Sequence, residues 1–356
     1  MRVWINKGLF GDREFVLAEN KNMKATAFKY STGVEAIKIE NKKGYFIILP
    51  FQGQQVWRAS FLGKDLVMQT AFEEPVPTQE YLETYGAFLV HCGVQAMGVP
   101  QADDNHPQHG EVPNVEYKKV YLELGEDFMA VGGIWEYKKA FVKSYIFSPE
   151  CRLYEDDTVL KINVSIENTR HEPLEYMYLC HVNFRPIDGA ELMYTANYDK
   201  TGVKVHKLIG PNVPKEQRDK LMAYMDAVQE NPALHHKVGA EGQLYNPEVC
   251  FTIYYNGDEN GRAYTMQYTP EGACYVSHPV QELPYAIRWI SRTDDEASMG
   301  MVLPSTAEHL GFSYAKRNGQ IKVLQPGEKV EFMVEAGYLE AERADQVKAK
   351  IEQMKK

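Results

Sequence analysis

What the chain lacks narrows its class before any motif is read. It has only five cysteines, Cys92, Cys151, Cys180, Cys250 and Cys274, an odd number at wide spacing and with no C-x-x-C pair. That pattern supplies neither a disulfide framework nor a thiolate zinc or redox motif, so the thiols are expected to pack as small buried hydrophobes. No run of about 18 apolar residues occurs, and Met1–Lys7 carries no apolar segment behind its positive charge. Neither a membrane span nor a secretory leader is expected, which places the protein in the cytoplasm. Basic charge is also short: 39 Lys and Arg stand against 49 Asp and Glu, for a net charge of −10. A surface of that sign repels phosphate backbones and anionic lipid, so nucleic acid and membranes are not expected partners. Phosphate-cradling glycine loops and the G-x-S-x-G elbow are absent too, which removes support for nucleotide-dependent and α/β-hydrolase chemistry.

What remains is an ordinary globular composition, 44% hydrophobic and 25% charged over 356 residues. Short β-branched and aromatic runs broken by Gly, Pro, Asn and Asp dominate, as at Gly44–Pro50, Glu116–Leu124, Ala140–Phe147, Val159–Glu167, Val249–Tyr255 and Ala263–Tyr268. Their alternation predicts half-exposed antiparallel strands. The Asn256–Gly261 turn between the last two reads as a hairpin. Two segments break the pattern. Residues 214–231 open with Pro214 and place Leu221, Met222, Met225 and Val228 on one stripe, and residues 340–356 have the same character. Both read as helices added to a sandwich. Without a linker, repeat or composition shift, residues 1–356 are expected to form a single domain.

Three passages carry residues able to do chemistry. Residues 85–114 hold His91-Cys92-Gly93 and then His106-Pro107-Gln108-His109-Gly110; residues 166–185 hold Cys180-His181-Val182-Asn183-Phe184; residues 282–327 hold Leu283-Pro284, Trp289, Leu303-Pro304-Ser305-Thr306 and Pro326-Gly327. This succession resembles the aldose 1-epimerase (galactose mutarotase)-like superfamily, in particular its DUF4432 branch. Six weak motifs fall in one order across roughly residues 45 to 340. The resemblance implies an all-β fold, a large antiparallel super-sandwich with one inserted helix and a C-terminal helix. It further implies a sugar as substrate and acid/base interconversion at the anomeric carbon, without a cofactor.

In enzymes of that superfamily one His protonates the ring oxygen, a Glu takes the anomeric proton, and a second His and an Arg hold the sugar. Carried over by position, His181 resembles the acid, His109 the second His and Arg58 the Arg. His suits proton exchange because its ordinary pKa of about 6.5 lets both forms exist near neutral pH. One departure stands out: Leu303 occupies the position of the family's base. Glu282, Glu308 and Glu111 are the replacement candidates, and Glu111 also stands where an Arg is expected after His109-Gly110. His91, His106, Asn183, Arg185 and Trp289 are expected around the sugar. Arg288 and Arg292, four apart on one strand, are expected to share a face. Two rivals stay open: a carbohydrate-binding protein without catalysis, and a sugar isomerase using a metal held by His91, His106, His109, Glu111 and His181. A homodimer is also admitted.

Overall fold

The architecture follows from the period-2 burial of the strands, which demands a second layer for each apolar face. A computed structural model describes every residue except Asp12, Pro211 and Lys356. Among the described residues the strands pair into a nine-stranded and a thirteen-stranded sheet, antiparallel throughout their ladders. The larger sheet runs from Val203–His206 through Glu248–Ile253, Tyr285–Arg292, Ala297–Ser305, Leu174–Val182 and Leu89–Val94 to the N-terminal strands. The all-β super-sandwich is therefore the observed fold.

The main core lies between the two sheets, where Phe46, Phe147, Tyr178, Cys180, Phe184 and Val334 meet. A second apolar layer, including Val90, Cys92, Met177, Leu179, Ile287 and Leu303, covers the opposite face of the larger sheet. The strand Leu174–Val182 shows the logic directly. Tyr176, Tyr178 and Cys180 point into the inter-sheet core, while Met177 and Leu179 point the other way, and parity sends His181 with them. A strand buried on both faces has no polar side, which is why this stretch reads as a nearly continuous apolar run.

The helix expected at 214–231 is α1, Lys215–Glu230, with Pro214 as its N-cap residue and Leu221, Met225 and Val228 buried. A short further helix, α2 at Gly311–Arg317, was not foreseen. The C-terminal helix is α3, Ala341–Met354; its expected end, Lys356, lies outside the described residues. No described helix is long and apolar enough to cross a membrane.

The hairpin reading of Asn256–Gly261 is wrong. Glu248–Ile253 belongs to the larger sheet, between Val203–His206 and Tyr285–Arg292, whereas Arg262–Thr269 pairs with Gly272–Pro279 and Glu191–Tyr194 in the smaller one. The turn residues are real, but they make a crossing between sheets. Asp258 closes it by accepting from the backbone N–H groups of Asn260 and Arg262 and from the Tyr264 hydroxyl.

Candidate active site

The outer face of the larger sheet holds a cavity of about 540 Å³. Its floor is the sheet itself, with Leu179 and His181 from one strand, Ile287 and Trp289 from another, and Leu303 and Cys250 from two more. Cross-strand register brings them together: Leu303 pairs with Ile287, and Cys250 with Trp289. Loops form the walls.

His109 and His181, far apart in the chain, meet here with ring centroids 5.3 Å apart at 88°. His181 is also 5.5 Å from the Trp289 ring and 6.0 Å from that of Tyr85. Its tautomer follows from its neighbour. The Asn183 amide nitrogen donates to the Ala87 carbonyl at 3.0 Å, so its oxygen faces His181 Nδ1 at 2.8 Å. An amide oxygen only accepts; Nδ1 therefore carries the hydrogen and Nε2 keeps its lone pair. Burial pushes the pKa of His181 down to about 4, with the Asn183 bond opposing the shift. Near neutral pH the ring is thus uncharged and Nε2 is a proton acceptor, the reverse of the acid role the resemblance suggests for it.

His109 is held by backbone rather than by side-chain partners. Its φ of +61° lies in the left-handed region, uncommon for any residue but glycine. The strain is sustained by its N–H donating to the Gly98 carbonyl at 2.9 Å and by its carbonyl accepting from Gly93 N–H at 3.0 Å. The next residue must be glycine: a Cβ on Gly110 would lie 2.2 Å from the Ala96 carbonyl oxygen. Nδ1 of His109 is buried with no hydrogen-bond partner. Burial first, and then His181, lower its pKa well below the ordinary value.

Further polar groups that the sequence did not single out also line the cavity, among them Glu248, His309, Tyr81 and Gln101. Glu248 opens a strand and accepts the Trp289 indole N–H at 2.5 Å, which fixes a carboxylate beside His181's aromatic neighbour. His309 enters from the segment before α2, its Nδ1 also unpartnered and its pKa lowered to about 3 by burial. No motif marks Glu248; its only signal is even spacing from Cys250, which puts both on the floor's face.

Most of the other expected site residues are elsewhere. His91 is on the opposite face of the sheet, its Nδ1 2.7 Å from the Tyr178 hydroxyl and its ring against Phe147, because odd positions of Leu89–Val94 point into the inter-sheet core. His106 turns Nε2 towards the Phe312 N–H at 3.3 Å and so ties its loop to α2. Arg58 spends its guanidinium on four carbonyls, those of Trp57, Gly86, Phe72 and Glu73. Arg185 binds Asp65 at 2.9 Å and the Val67 carbonyl. Asn183 stands behind His181 rather than on the sugar side. Trp289 lines the cavity.

The three candidate bases fail for stated reasons. Glu111 is buried under the His109 loop, where it accepts from the Tyr145 hydroxyl and from Val94 and Gln95 N–H at 3.0 Å; burial raises its pKa against those bonds. Glu282 lies outside the cavity, in the turn before the Trp289 strand, where its charge acts on Tyr176. Glu308 is 1% exposed and locked by Lys204 at 2.8 and 3.0 Å, by the Tyr314 hydroxyl at 2.8 Å and by Gln320 at 3.2 Å. Burial works to raise its pKa, but those bonds outweigh it and bring it down to about 2. Trp57 and Arg288 are fully buried, and Arg292 forms a two-pronged pair with Asp188. The metal set of His91, His106, His109, Glu111 and His181 does not converge, and the described residues contain no cluster of three or more such ligands.

A family model described as a domain of unknown function, DUF4432, matches residues 31–202. No curated protein matches the chain. Among solved structures, a proposed aldose 1-epimerase of Klebsiella pneumoniae is 15% identical, with a TM-score of 0.80 over 100% of this chain and 96% of its own. A galactose mutarotase-like protein of Clostridium acetobutylicum is also 15% identical, with a TM-score of 0.58 over 90% of this chain and 100% of its own. At such identities the likeness is one of fold, and it bears out the resemblance read from the motifs.

Proposed function

We propose that this galactose mutarotase-like chain interconverts the anomers of a free aldose in the cavity above the larger sheet. One observation carries the reading: His109 and His181 converge over a shared hollow together with Trp289 and Glu248. Ring opening of a cyclic hemiacetal requires the proton of the anomeric hydroxyl O1 to leave while the ring oxygen O5 gains one. His181 Nε2, unprotonated at rest, takes the O1 proton as the C1–O5 bond breaks. O5 takes a proton from water at the open mouth. Reclosure on either face of the aldehyde reverses both transfers, so no proton is consumed. Trp289 offers an aromatic wall to the C–H face of the ring, and Glu248 accepts hydrogen bonds from neighbouring hydroxyls. His109 directs a second imidazole at the same ring.

The test is anomer exchange followed by NMR across a panel of aldoses. Acceleration that disappears in His181→Ala supports the assignment; no acceleration with any aldose, or full activity in that variant, removes it. A second reading has its own observation. Leu303 is buried in the floor, at the position where the resemblance would place a base, which favours a sugar-binding protein without turnover. Sugar-dependent thermal stabilisation without anomer exchange would select it.

A further inference from the structure

The polar groups of the cavity are unevenly placed, and its sealed apolar part lies on the floor. Leu179, Ile287 and Leu303 are each at most 2% exposed and form a continuous patch of floor with Cys250 beside them. Leu303 and Ile287 are register partners on adjacent strands. Leu179 lies two residues from His181 on the same face, which is about 7 Å along an extended strand. The polar groups lie around it: His181, Trp289 and Glu248 from the sheet, and Tyr81, Tyr85, Gln101, Gln108, His109 and His309 from the loops. No donor or acceptor side chain projects from the patch itself. A hydroxyl laid on this patch would surrender its water without gaining a partner.

Resting on the sugar reading of this cavity, we infer that the substrate class is the deoxy aldoses, with a methyl group where an ordinary hexose carries its hydroxymethyl. With the anomeric carbon at His181 Nε2, the far side of a pyranose ring reaches over Leu179, Ile287 and Leu303. A methyl there gains apolar contact, and a hydroxymethyl does not. The rim continues the pattern: Leu82, Val99 and Leu208 line the mouth while 63%, 47% and 59% exposed. Leu303 thus does two things at once. It removes the carboxylate expected at its position and completes the methyl-sized floor.

The experiment compares each hexose with its own 6-deoxy counterpart, in D and L series, by NMR exchange for kcat/KM and by calorimetry for Kd. The wild-type protein is expected to favour the deoxy member of at least one pair by tenfold or more, about 1.4 kcal/mol. Leu303→Gln, which sets an amide on the floor, is expected to reduce that preference to within about twofold, read as the ratio of the two sugars' Kd values and of their kcat/KM values whatever the absolute rate; melting temperature establishes that the variant is folded, and Leu303→Asn serves if it is not. Hexoses handled as well as their deoxy counterparts would overturn the inference and leave the sugar reading standing. A preference unchanged in the folded variant would overturn the assignment to the floor. Neither binding nor exchange with any member of the panel would overturn both.

Discussion

Two carboxylates border the same region of this molecule and are in opposite states. Glu248 sits at the open edge of the cavity with a single side-chain partner, the indole N–H of Trp289, and an unprotonated imidazole nitrogen on the far side of that ring. Glu308, next to the cavity residue His309, is sealed from solvent and holds Lys204, Tyr314 and Gln320. Proximity to a motif made Glu308 the natural candidate; its bonds disqualify it. A carboxylate already neutralised by three donors has little capacity left for a substrate, whereas one held by a single donor keeps its remaining lone pairs free. The reactive end of the cavity is the incompletely satisfied one.

That contrast can be broken at several points. The largest effect is expected at His181: replacement by Ala should cost about 10²–10⁴-fold in anomer exchange, while Glu308→Gln should leave kcat/KM within about threefold. Reversal of that order in the NMR assay would exchange the roles of the two ends. Next comes pH. Burial lowers the pKa of His91, His206, His236, His278 and His309 as well as His181, to values between about 3 and about 4. For each, the unfolded chain binds a proton that the folded one refuses in the window from about 6.5 down to the folded value, so stability rises with pH there and is lost on acidification. Each such group contributes up to ~1.4 kcal/mol per pH unit, so several together can exhaust a stability of about 5–15 kcal/mol before pH 4. Thermal unfolding should show a steep fall in melting temperature below about pH 6, and activity should vanish with the fold while remaining flat between pH 6.5 and 8. A flat melting temperature from pH 7 to 5 would mean that these imidazoles are hydrated.

Glu248→Gln should lower kcat/KM by about 10–10²-fold if it binds hydroxyls of the reacting sugar, since charged acceptors make the stronger hydrogen bonds; an unaffected KM and kcat would reduce it to a wall residue. The smallest effect belongs to Glu308. Its Gln variant should lose about 1–3 kcal/mol in denaturant unfolding, at the low end because Lys204 is 40% exposed. Because its folded pKa is depressed, that contribution is present above the unfolded value and is lost as pH falls from there towards about 2, overlapping only the acid end of the histidine window.

The fold was legible because strands and caps are local: alternation marked the strands, and Pro214 with the stripe of Leu221, Met225 and Val228 marked α1. The convergence of His109 and His181 was legible only through the order of motifs. What failed was parity and connectivity. His91 and His181 face opposite sides of adjacent strands because Cys180, not His181, is the register partner of His91, and no single strand reveals that offset. Arg58 looked available until the carbonyls of a distant loop were brought to it. Glu248 was marked only by its even spacing from Cys250, since its partner Trp289 reaches it from the neighbouring strand.

The strand Lys329–Glu340 lies between Val159–Asn168 and Gly272–Pro279 in the smaller sheet. It is the element that zips two sub-assemblies, each of which otherwise ends in an open row of amides and carbonyls. During synthesis those rows wait for a segment made long after the first of them. Nascent or proteolytically shortened chains therefore present two sticky borders at once, and their failure should take the form of intermolecular β-pairing and precipitation rather than a soluble, partly active fragment.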